Sequence, residues 1–435
     1  MTRLTNHLIV ISFDCLSALD FPILQELPHF RELLAYGSYC KNVESIYPSV
    51  TYPCHATIVT GKYPNRHGII NNTLLQPGRP SPDWFWQRRH IKGTTLYDEA
   101  KKAGFSTAAL LWPVTAKAKI DYNMPEIFAN RPWHHQIAVS LCNGSPLYQL
   151  DMNRRFGHIR NGLHQPELDD FVLETTVQTI KSKKPNLLLV HFTDLDTQRH
   201  YHGFSSQEAI NAIHRHNTRL GRILQAIKES GMEENSTIIA LGDHSALDES
   251  KAVKPNVLLH EHGLIEIDQR GQMIDWKAYC KSCDGSAYIY VKHQDDFETK
   301  EAVGELLHYL VKDKRNGIET VLTGKEAGAK GADHNALFMI EALQGFYFKE
   351  DFQGEYIDSI TAGDVKAHRY TYASHGYSPE KENYATMLIA AGKGIRKNAI
   401  LPHMHLVDEG PTFAKLLGLH LEDTDGRIVE ELLAD

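Results

Sequence analysis

Apolar residues recur along this chain in two rhythms. Short, nearly unbroken runs occupy residues 7–13 (with Leu8-Ile9-Val10-Ile11-Ser12-Phe13), 186–192 and 236–241. They are bounded by polar residues and too short for helices, so they read as buried strands. Between them, apolar positions repeat at the helical spacing over residues 21–36, 95–103, 168–183 and 206–230. Further strands are expected at 40–46, 105–111 and 384–391. After the turn at Pro48, Thr51 opens a helix that Gly61 and Pro64 stop near Thr60. A last helix is expected at 410–417. Helices alternating with strands apolar on both faces specify a mostly parallel sheet covered on each side, a three-layer α/β/α core. Ligands of such sheets bind beyond the carboxyl ends of the strands. Asp14, Asp196 and Asp243 fall just past three of those ends.

Residues 246–369 break the alternation. They hold one expected helix (300–311) and a segment rich in Gly, Ala and Lys (324–331). We read residues 1–245 as the first part of a catalytic core, 246–369 as a smaller inserted lobe, and 370–435 as the closing part of the core. A chain of 435 residues is too long for one hydrophobic core, which fits this division.

The net charge of −8 argues against a partner such as a nucleic-acid polymer, which requires a basic face. It leaves room for a small phosphorylated substrate, because bound divalent cations reverse the local field. The opening apolar run is too short for a secretory leader, and no run is long enough to span a membrane. Six cysteines, Cys15, Cys40, Cys54, Cys142, Cys280 and Cys283, follow no disulfide framework, which is the usage of a cytoplasmic protein. The pair Cys280/Cys283 lacks the second pair of a zinc ribbon and reads as structural.

The candidate chemistry lies in seven residues: Asp14, Thr51, Asp196, His200, Asp243, His244 and His375. Each has a bland reading alone: a Thr helix cap, a polar loop, a His-Gly turn. Together they form a pattern. Asp196 and His200 are four apart, so a helical turn puts both on one face, able to bind one ion. Asp243 and His244 follow a buried strand, with Gly242 leaving backbone room. Two sets of three emerge: Asp196, His200 and His375, and Asp14, Asp243 and His244, the second bridged or capped by the Thr51 oxygen as a further metal ligand. Three protein ligands and an open position characterise catalytic coordination. Mixed nitrogen and oxygen ligands suit two zinc ions, with manganese as the alternative. Such a pair about 3.5–4 Å apart clamps the oxygens of an in-line displacement. A hydroxyl at a helix N-terminus sits where an anionic substrate is favoured, and Thr51 needs activation by a metal or base to act as nucleophile.

The same residues, in this order, resemble the alkaline phosphatase superfamily, and within it the type I phosphodiesterase/nucleotide pyrophosphatase family. That family's nucleophile segment reads roughly P-T-x-T-F-P-N-H-x-x-I-V-T-G-x-Y-P-x-x-H-G-I. Pro48–Thr51, Tyr52-Pro53-Cys54-His55 and Ile58-Val59-Thr60-Gly61-Lys62-Tyr63-Pro64-Asn65-Arg66-His67-Gly68-Ile69 follow it. The family's D-x-x-x-H, D-H and H-G-Y elements fall on Asp196/His200, Asp243/His244 and His375-Gly376-Tyr377, and its helix–strand–WP segment on residues 95–113. Gly410-Pro411-Thr412 and Leu416-Leu417-Gly418 resemble the superfamily's closing helix. The resemblance implies an alkaline-phosphatase-like fold and a two-zinc hydrolase in which Thr51 attacks phosphorus through a phosphothreonine intermediate.

One position departs from the pattern. Cys54 stands where the family has an asparagine expected to contact a phosphate oxygen, and a thiol is a weak donor. Tyr52 and Cys54 are the candidate substrate contacts, with packing as a small hydrophobe the alternative for Cys54. Oxyanion stabilisation is left to the metals, to the backbone N–H of Tyr52, or to a group from another segment. Aligning on Thr60-Gly61 puts Thr51, not a cysteine, at the nucleophile position, against a formylglycine sulfatase. Tyr52, Trp84, Trp86 and Trp112 read as core or cavity wall. The leading function is a phosphodiesterase or nucleotide pyrophosphatase. The alternatives are a phosphomonoesterase or phosphonate hydrolase with the same metals, and a non-catalytic binder of phosphorylated ligands or metal. Nothing in the sequence speaks to oligomeric state.

Overall fold

A computed structural model describes residues 2–434. Six strands build most of the central sheet: β1 (His7–Phe13), β2 (Ser38–Glu44), β3 (Thr107–Leu110), β4 (Tyr122–Met124), β5 (Leu187–Phe192) and β6 (Ser236–Leu241). Across the sheet the order is Ile400–Leu401, β2, Thr386–Gly392, β6, β1, β5, β3, β4, with Met404–His405 also on β2. β1 pairs in parallel with β5 from Leu8↔Leu187 to Phe13↔Phe192, and with β6 from His7↔Ser236 to Ser12↔Leu241. Alternate residues of these strands feed two apolar layers. Ile9, Ile11, Val190 and Ala240 face the helices Phe21–Glu26, Pro28–Tyr36, Glu167–Lys183 and Gln207–Glu229. Leu8, Val10, Leu189 and Ile239 face Thr51–Thr60, Leu96–Lys102 and Glu409–Leu416. Burial on both sides is why the runs carry no polar alternation.

Strand Thr386–Gly392 runs antiparallel to both β6 and β2, so the sheet is mixed. The single helix expected over 21–36 is two helices. Leu27 is extended (φ −82°, ψ 129°) because Pro28 disfavours a helical conformation in the residue before it. Ser206 caps the long helix by accepting from the Ala209 N–H at 3.2 Å. Between β3 and β5 lie elements without a sequence signal: β4 and the helices Gln136–Asn143 and Pro146–Phe156.

Beyond β6 a second sheet of Ala278–Ser282, Ser286–Val291, Phe338–Ala342 and Ile318–Thr323 is wholly antiparallel and packs an apolar cluster of its own. The helix expected at 300–311 is Phe297–Leu310, and Gly324–Ala329 is helical. Strand Leu247–Val253 pairs with Gly345–Phe348 and Ile357–Ser359, and its first residues pair with Ala373–Ser374. That last bridge brings residue 375 back beside the end of β6. Among the described residues, no helix is long and apolar enough to cross a membrane.

Candidate active site and metal centre

The carboxyl ends of β1, β2, β5 and β6 open on one side of the sheet, and each is followed by a candidate side chain. Asp14 directly follows β1, and its N–H donates to the Phe192 carbonyl at 2.9 Å, extending the ladder by one rung. Thr51 is the first residue of helix Thr51–Thr60, after β2. Asp196 and His200 sit one turn apart on helix Asp194–His202, after β5. Asp243 and His244 follow β6 through Gly242, where a Cβ would collide with the Leu16 carbonyl. His375 arrives on the Ala373–Ser374 bridge. It is followed by Gly376 at φ 83°, where a Cβ would overlap the Cys283 carbonyl.

All seven residues converge, in two groups. In the first, His244 Nε2 lies 3.3 Å from Asp14 Oδ1, 3.3 Å from Asp243 Oδ2 and 3.3 Å from Thr51 Oγ1. In the second, His200 Nε2 lies 3.1 Å from Asp196 Oδ2, and His375 Nε2 lies 3.8 Å from Asp196 Oδ1. Each trio offers one ligand atom per residue within 4.8 Å of the others. The groups adjoin, with the His244 and His375 rings stacked at 4.0 Å. Asp14 Oδ1, Asp196 Oδ1, Asp243 Oδ2 and His375 Nδ1 are buried without a hydrogen-bond partner. Buried carboxylate oxygens left unpaired are costly, so this donor set fits bound cations.

Charge crowding points the same way. Burial, then the charges of Asp243 and Asp196, push the Asp14 carboxyl well above its ordinary range. Burial pushes Asp243 up to about 6 against the pull of His55. Burial acts on Asp196 too, but His200 overrides it and holds that carboxyl below the usual range. Reciprocally, Asp196 lifts His200 to about 9 against burial. Burial lowers His244 to about 4 and His375 to about 3, which favours the neutral, ligating imidazole.

Two further histidines lie beneath the cluster. His55 contacts the Thr51 carbonyl through Nδ1 at 2.8 Å and Ser12 Oγ through Nε2 at 3.0 Å, fixing the first turn of the Thr51 helix on β1. His191, inside β5, approaches Asp14 Oδ2 at 3.3 Å and packs against His55 with ring centroids 4.2 Å apart. Neither stands out in the sequence: His191 looks like an interruption of an apolar run, and His55 is one residue of a longer motif. Asp194 is committed elsewhere, to Arg215 at 2.7 Å and Arg219 at 2.9 Å, and does not compete with Asp196.

A cavity of about 520 Å³ opens on the cluster. Asp14, Thr51, Asp196, His200 and His375 form its polar floor; Trp84, Ile127, Phe128 and Phe171 line its apolar wall. Tyr52 lines it too, with its ring against Trp84 at 5.2 Å. Cys54 does not. The thiol is fully buried in the layer under β1, with Sγ 3.4 Å from Ser45 Oγ, because the second turn of the helix faces the sheet. Of the two roles expected for Cys54, substrate contact and packing, its burial fits packing. The Tyr52 N–H, one of the expected oxyanion donors, donates to Asn72 Oδ1 at 2.9 Å. Asn72, which the sequence reading missed, lines the cavity beside Thr51. Only its position just after the quoted motif, which ends at Ile69, could have drawn attention to it. Trp112 is core, and Cys280 and Cys283 are buried in separate apolar clusters.

A family model described as type I phosphodiesterase / nucleotide pyrophosphatase matches residues 8–378. Human ectonucleotide pyrophosphatase/phosphodiesterase family member 1 is 25% identical over 229 residues, covering 50% of this chain and 21% of that protein. Venom phosphodiesterase 2 of Crotalus adamanteus is 26% identical over 229 residues, covering 50% and 24%. The matches thus span about a quarter or less of these relatives' lengths. Human family member 5 is 24% identical over 272 residues, covering 61% of this chain and 48% of that protein. The solved structure of human ectonucleotide pyrophosphatase/phosphodiesterase 5 superposes with TM-score 0.67 at 19% identity, covering 99% of this chain and 100% of that one. The murine counterpart, an inactive threonine-to-alanine variant in complex with AMP, gives the same values. The fold is alkaline-phosphatase-like, as expected, with a mixed central sheet. From its second residue of β1 to the turn after His375, this chain belongs to the type I phosphodiesterase/nucleotide pyrophosphatase family.

Proposed function

We propose that this protein is a metal-dependent phosphodiesterase/nucleotide pyrophosphatase that cleaves a phosphodiester or pyrophosphate bond of a small phosphorylated substrate, such as a nucleotide derivative, with Thr51 as nucleophile. The observation that carries the reading is the Thr51 hydroxyl at the mouth of a helix, on the cavity floor, 3.3 Å from His244 in the Asp14/Asp243/His244 trio. Asp14, Asp243 and His244 would hold one divalent cation and Asp196, His200 and His375 the other. When bound, the two ions, zinc or alternatively manganese, supply positive charge that favours an ionised Thr51 and neutralises the phosphoryl oxygens. Thr51 Oγ forms a bond to phosphorus as the ester bond to the leaving group breaks. Water then cleaves the phosphothreonine and restores the hydroxyl. Helix Thr51–Thr60 presents its positive end to the phosphate. Asn72 keeps its oxygen on the Tyr52 N–H, which leaves its Nδ2 as the donor for the phosphate. Trp84 and Phe128 offer apolar surface to a base or comparable group.

A diester is favoured over a monoester or phosphonate on one observation. Among the described residues lining the cavity, Arg160 is the single lysine or arginine, and it sits on the Phe171 ring at 4.5 Å. A dianionic monoester calls for more fixed positive charge than that. The test is turnover of bis(p-nitrophenyl) phosphate against p-nitrophenyl phosphate and phosphonate. Monoester preference would support the phosphatase reading, and binding without turnover the non-catalytic one. Residues 246–369 are taken as an inserted lobe that delivers His375 through its exit strand. All six cysteines are free thiols, but the cytoplasmic expectation, drawn from cysteine usage and from the lack of a leader-like or membrane-spanning run, gains no support from the ectonucleotide and venom names of the relatives.

A further inference from the structure

At the edge of the central sheet, away from the catalytic cavity, strand Met404–His405 pairs in parallel with β2, placing Met404 opposite Val43 and His405 opposite Glu44. Side chains alternate along a strand, so His403 and His405 share a face, and Glu44 is the direct cross-strand neighbour of His405 on that face. His403 Nε2 lies 3.5 Å from one Glu44 oxygen and His405 Nδ1 lies 3.5 Å from the other. The two rings stand 4.6 Å apart at 86°. One donor atom from each residue falls within 4.8 Å of the other two.

A pair of ligands about 2.1 Å from a tetrahedral zinc ion stands about 3.4 Å apart. Each Glu–His separation, one to each carboxylate oxygen, is close to that spacing. A surface ion pair uses one histidine per carboxylate and contributes little; here two imidazoles and a carboxylate converge. The backbone that presents them is fixed. The His405 N–H donates to Asp408 Oδ2 at 3.0 Å, and Ser45, next to Glu44, donates to the Asp243 carbonyl at 2.8 Å.

We propose that Glu44, His403 and His405 form a divalent-cation site distinct from the active site, selective for zinc-like ions and open to water at its remaining position. The side chains are between 38% and 44% exposed, so the ion exchanges with solvent. Bound there, it staples β2 to the segment that enters helix Glu409–Leu416. Leu406 of that segment and Phe413 of that helix share an apolar cluster with Ile58 of the Thr51–Thr60 helix.

The test is equilibrium dialysis of the full chain against zinc, with metal counted by mass spectrometry, for wild type and the His403→Ala/His405→Ala variant. Wild type holds one equivalent more than the variant, and Glu44→Gln weakens that equivalent at least about tenfold. Diester turnover stays the same in all three. The difference is read whether or not the active site holds two ions, so it fails separately from the catalytic reading. Equal zinc content in wild type and variant overturns the proposal. Should the variant fail to fold, an anomalous zinc peak between the three side chains of wild type supports the site, and its absence overturns it.

Discussion

The Asn72 amide has two tasks that substitution can separate. Its Oδ1 accepts the Tyr52 N–H at 2.9 Å and so satisfies one donor at the start of the nucleophile helix. The residue lines the cavity together with Thr51, and on the proposed reading its Nδ2 would be the phosphate donor. Asn72→Ala removes both functions. One neutral hydrogen bond is worth about 1 kcal/mol net, and one oxyanion donor about 2.7 kcal/mol of barrier, or roughly 10²-fold in kcat. Asn72→Asp keeps the acceptor and replaces the donor with an anion. Its melting temperature stays at the wild-type value while kcat falls at least about 10²-fold. Both losses appear in kcat more than in KM, because charge on the phosphoryl oxygens is engaged most strongly in the transition state. Cys54→Ala is the internal control. That thiol is fully buried and touches Ser45, so its loss costs about 1 kcal/mol of stability and leaves kcat within about twofold. The assay is steady-state hydrolysis of bis(p-nitrophenyl) phosphate alongside thermal unfolding. A wild-type kcat in Asn72→Asp, or a hundredfold loss in Cys54→Ala, refutes the assignment.

Thr51→Ala lowers kcat at least about 10³-fold while metal content per chain, counted by mass spectrometry, is unchanged; unaltered turnover would remove Thr51 from the chemistry. Chelation abolishes turnover and lowers the melting temperature, because the ions bind only the folded cluster; zinc or manganese restores both, and a fully active metal-free enzyme would contradict the site. Gly376→Ala destabilises by more than about 2 kcal/mol in urea titration, since φ 83° and the Cys283 carbonyl both oppose a side chain, and a wild-type midpoint would disprove this. Burial lifts the Glu341 carboxyl from 4.5 to about 7, with Lys381 and the Ser378 N–H opposing it. The folded state therefore holds a proton that the unfolded chain releases, and stability falls as pH rises from about 4.5 to about 7. Glu341→Gln removes that slope and gains up to about 3 kcal/mol on wild type near neutral pH; parallel stability profiles for the two proteins would exclude the effect.

What could be read from the sequence divides by physical cause. β1, β5 and β6 were found to within a residue because a strand buried on both faces must be apolar throughout. The Thr51 helix ended as expected because Gly61 takes the left-handed cap. The direction of Thr386–Gly392 was not readable, since a wholly buried run looks alike in parallel and antiparallel pairing. The cavity cover, β4 with helices Gln136–Asn143 and Pro146–Phe156, escaped because its apolar residues do not form one buried stripe. Ile137, Leu147 and Leu150 are 56%, 84% and 48% exposed. At the site, the charged residues could be named because each falls past a strand end or within a motif. Asn72 and His191 could not, because an amide in a loop and an imidazole in a strand acquire meaning only from what lies across space.

The fold also supplies what holds so anionic a cluster together. Asp14, Asp196 and Asp243 converge in a buried site, and such crowding would push the helix that carries Asp196 away. That helix is pinned at both ends by arginines that take no part in the cluster. At its start, Asp194 is gripped by Arg215 and Arg219, both from helix Gln207–Glu229. Near its end, Arg199 is buried against Asp20 at 2.6 Å and the Cys15 carbonyl, the residue after Asp14. Arg199 lies between Asp196 and His200 in sequence but points away from them, so a single helix presents ligands on one face and its anchor on the other. The Arg219–Asp194 and Arg199–Asp20 pairs are nearly dry, so removing one partner of either strands a buried charge and costs about 3–5 kcal/mol. The clamps therefore stabilise the geometry of the ligands before any cation arrives, and on the proposed reading the ions would supply charge rather than shape.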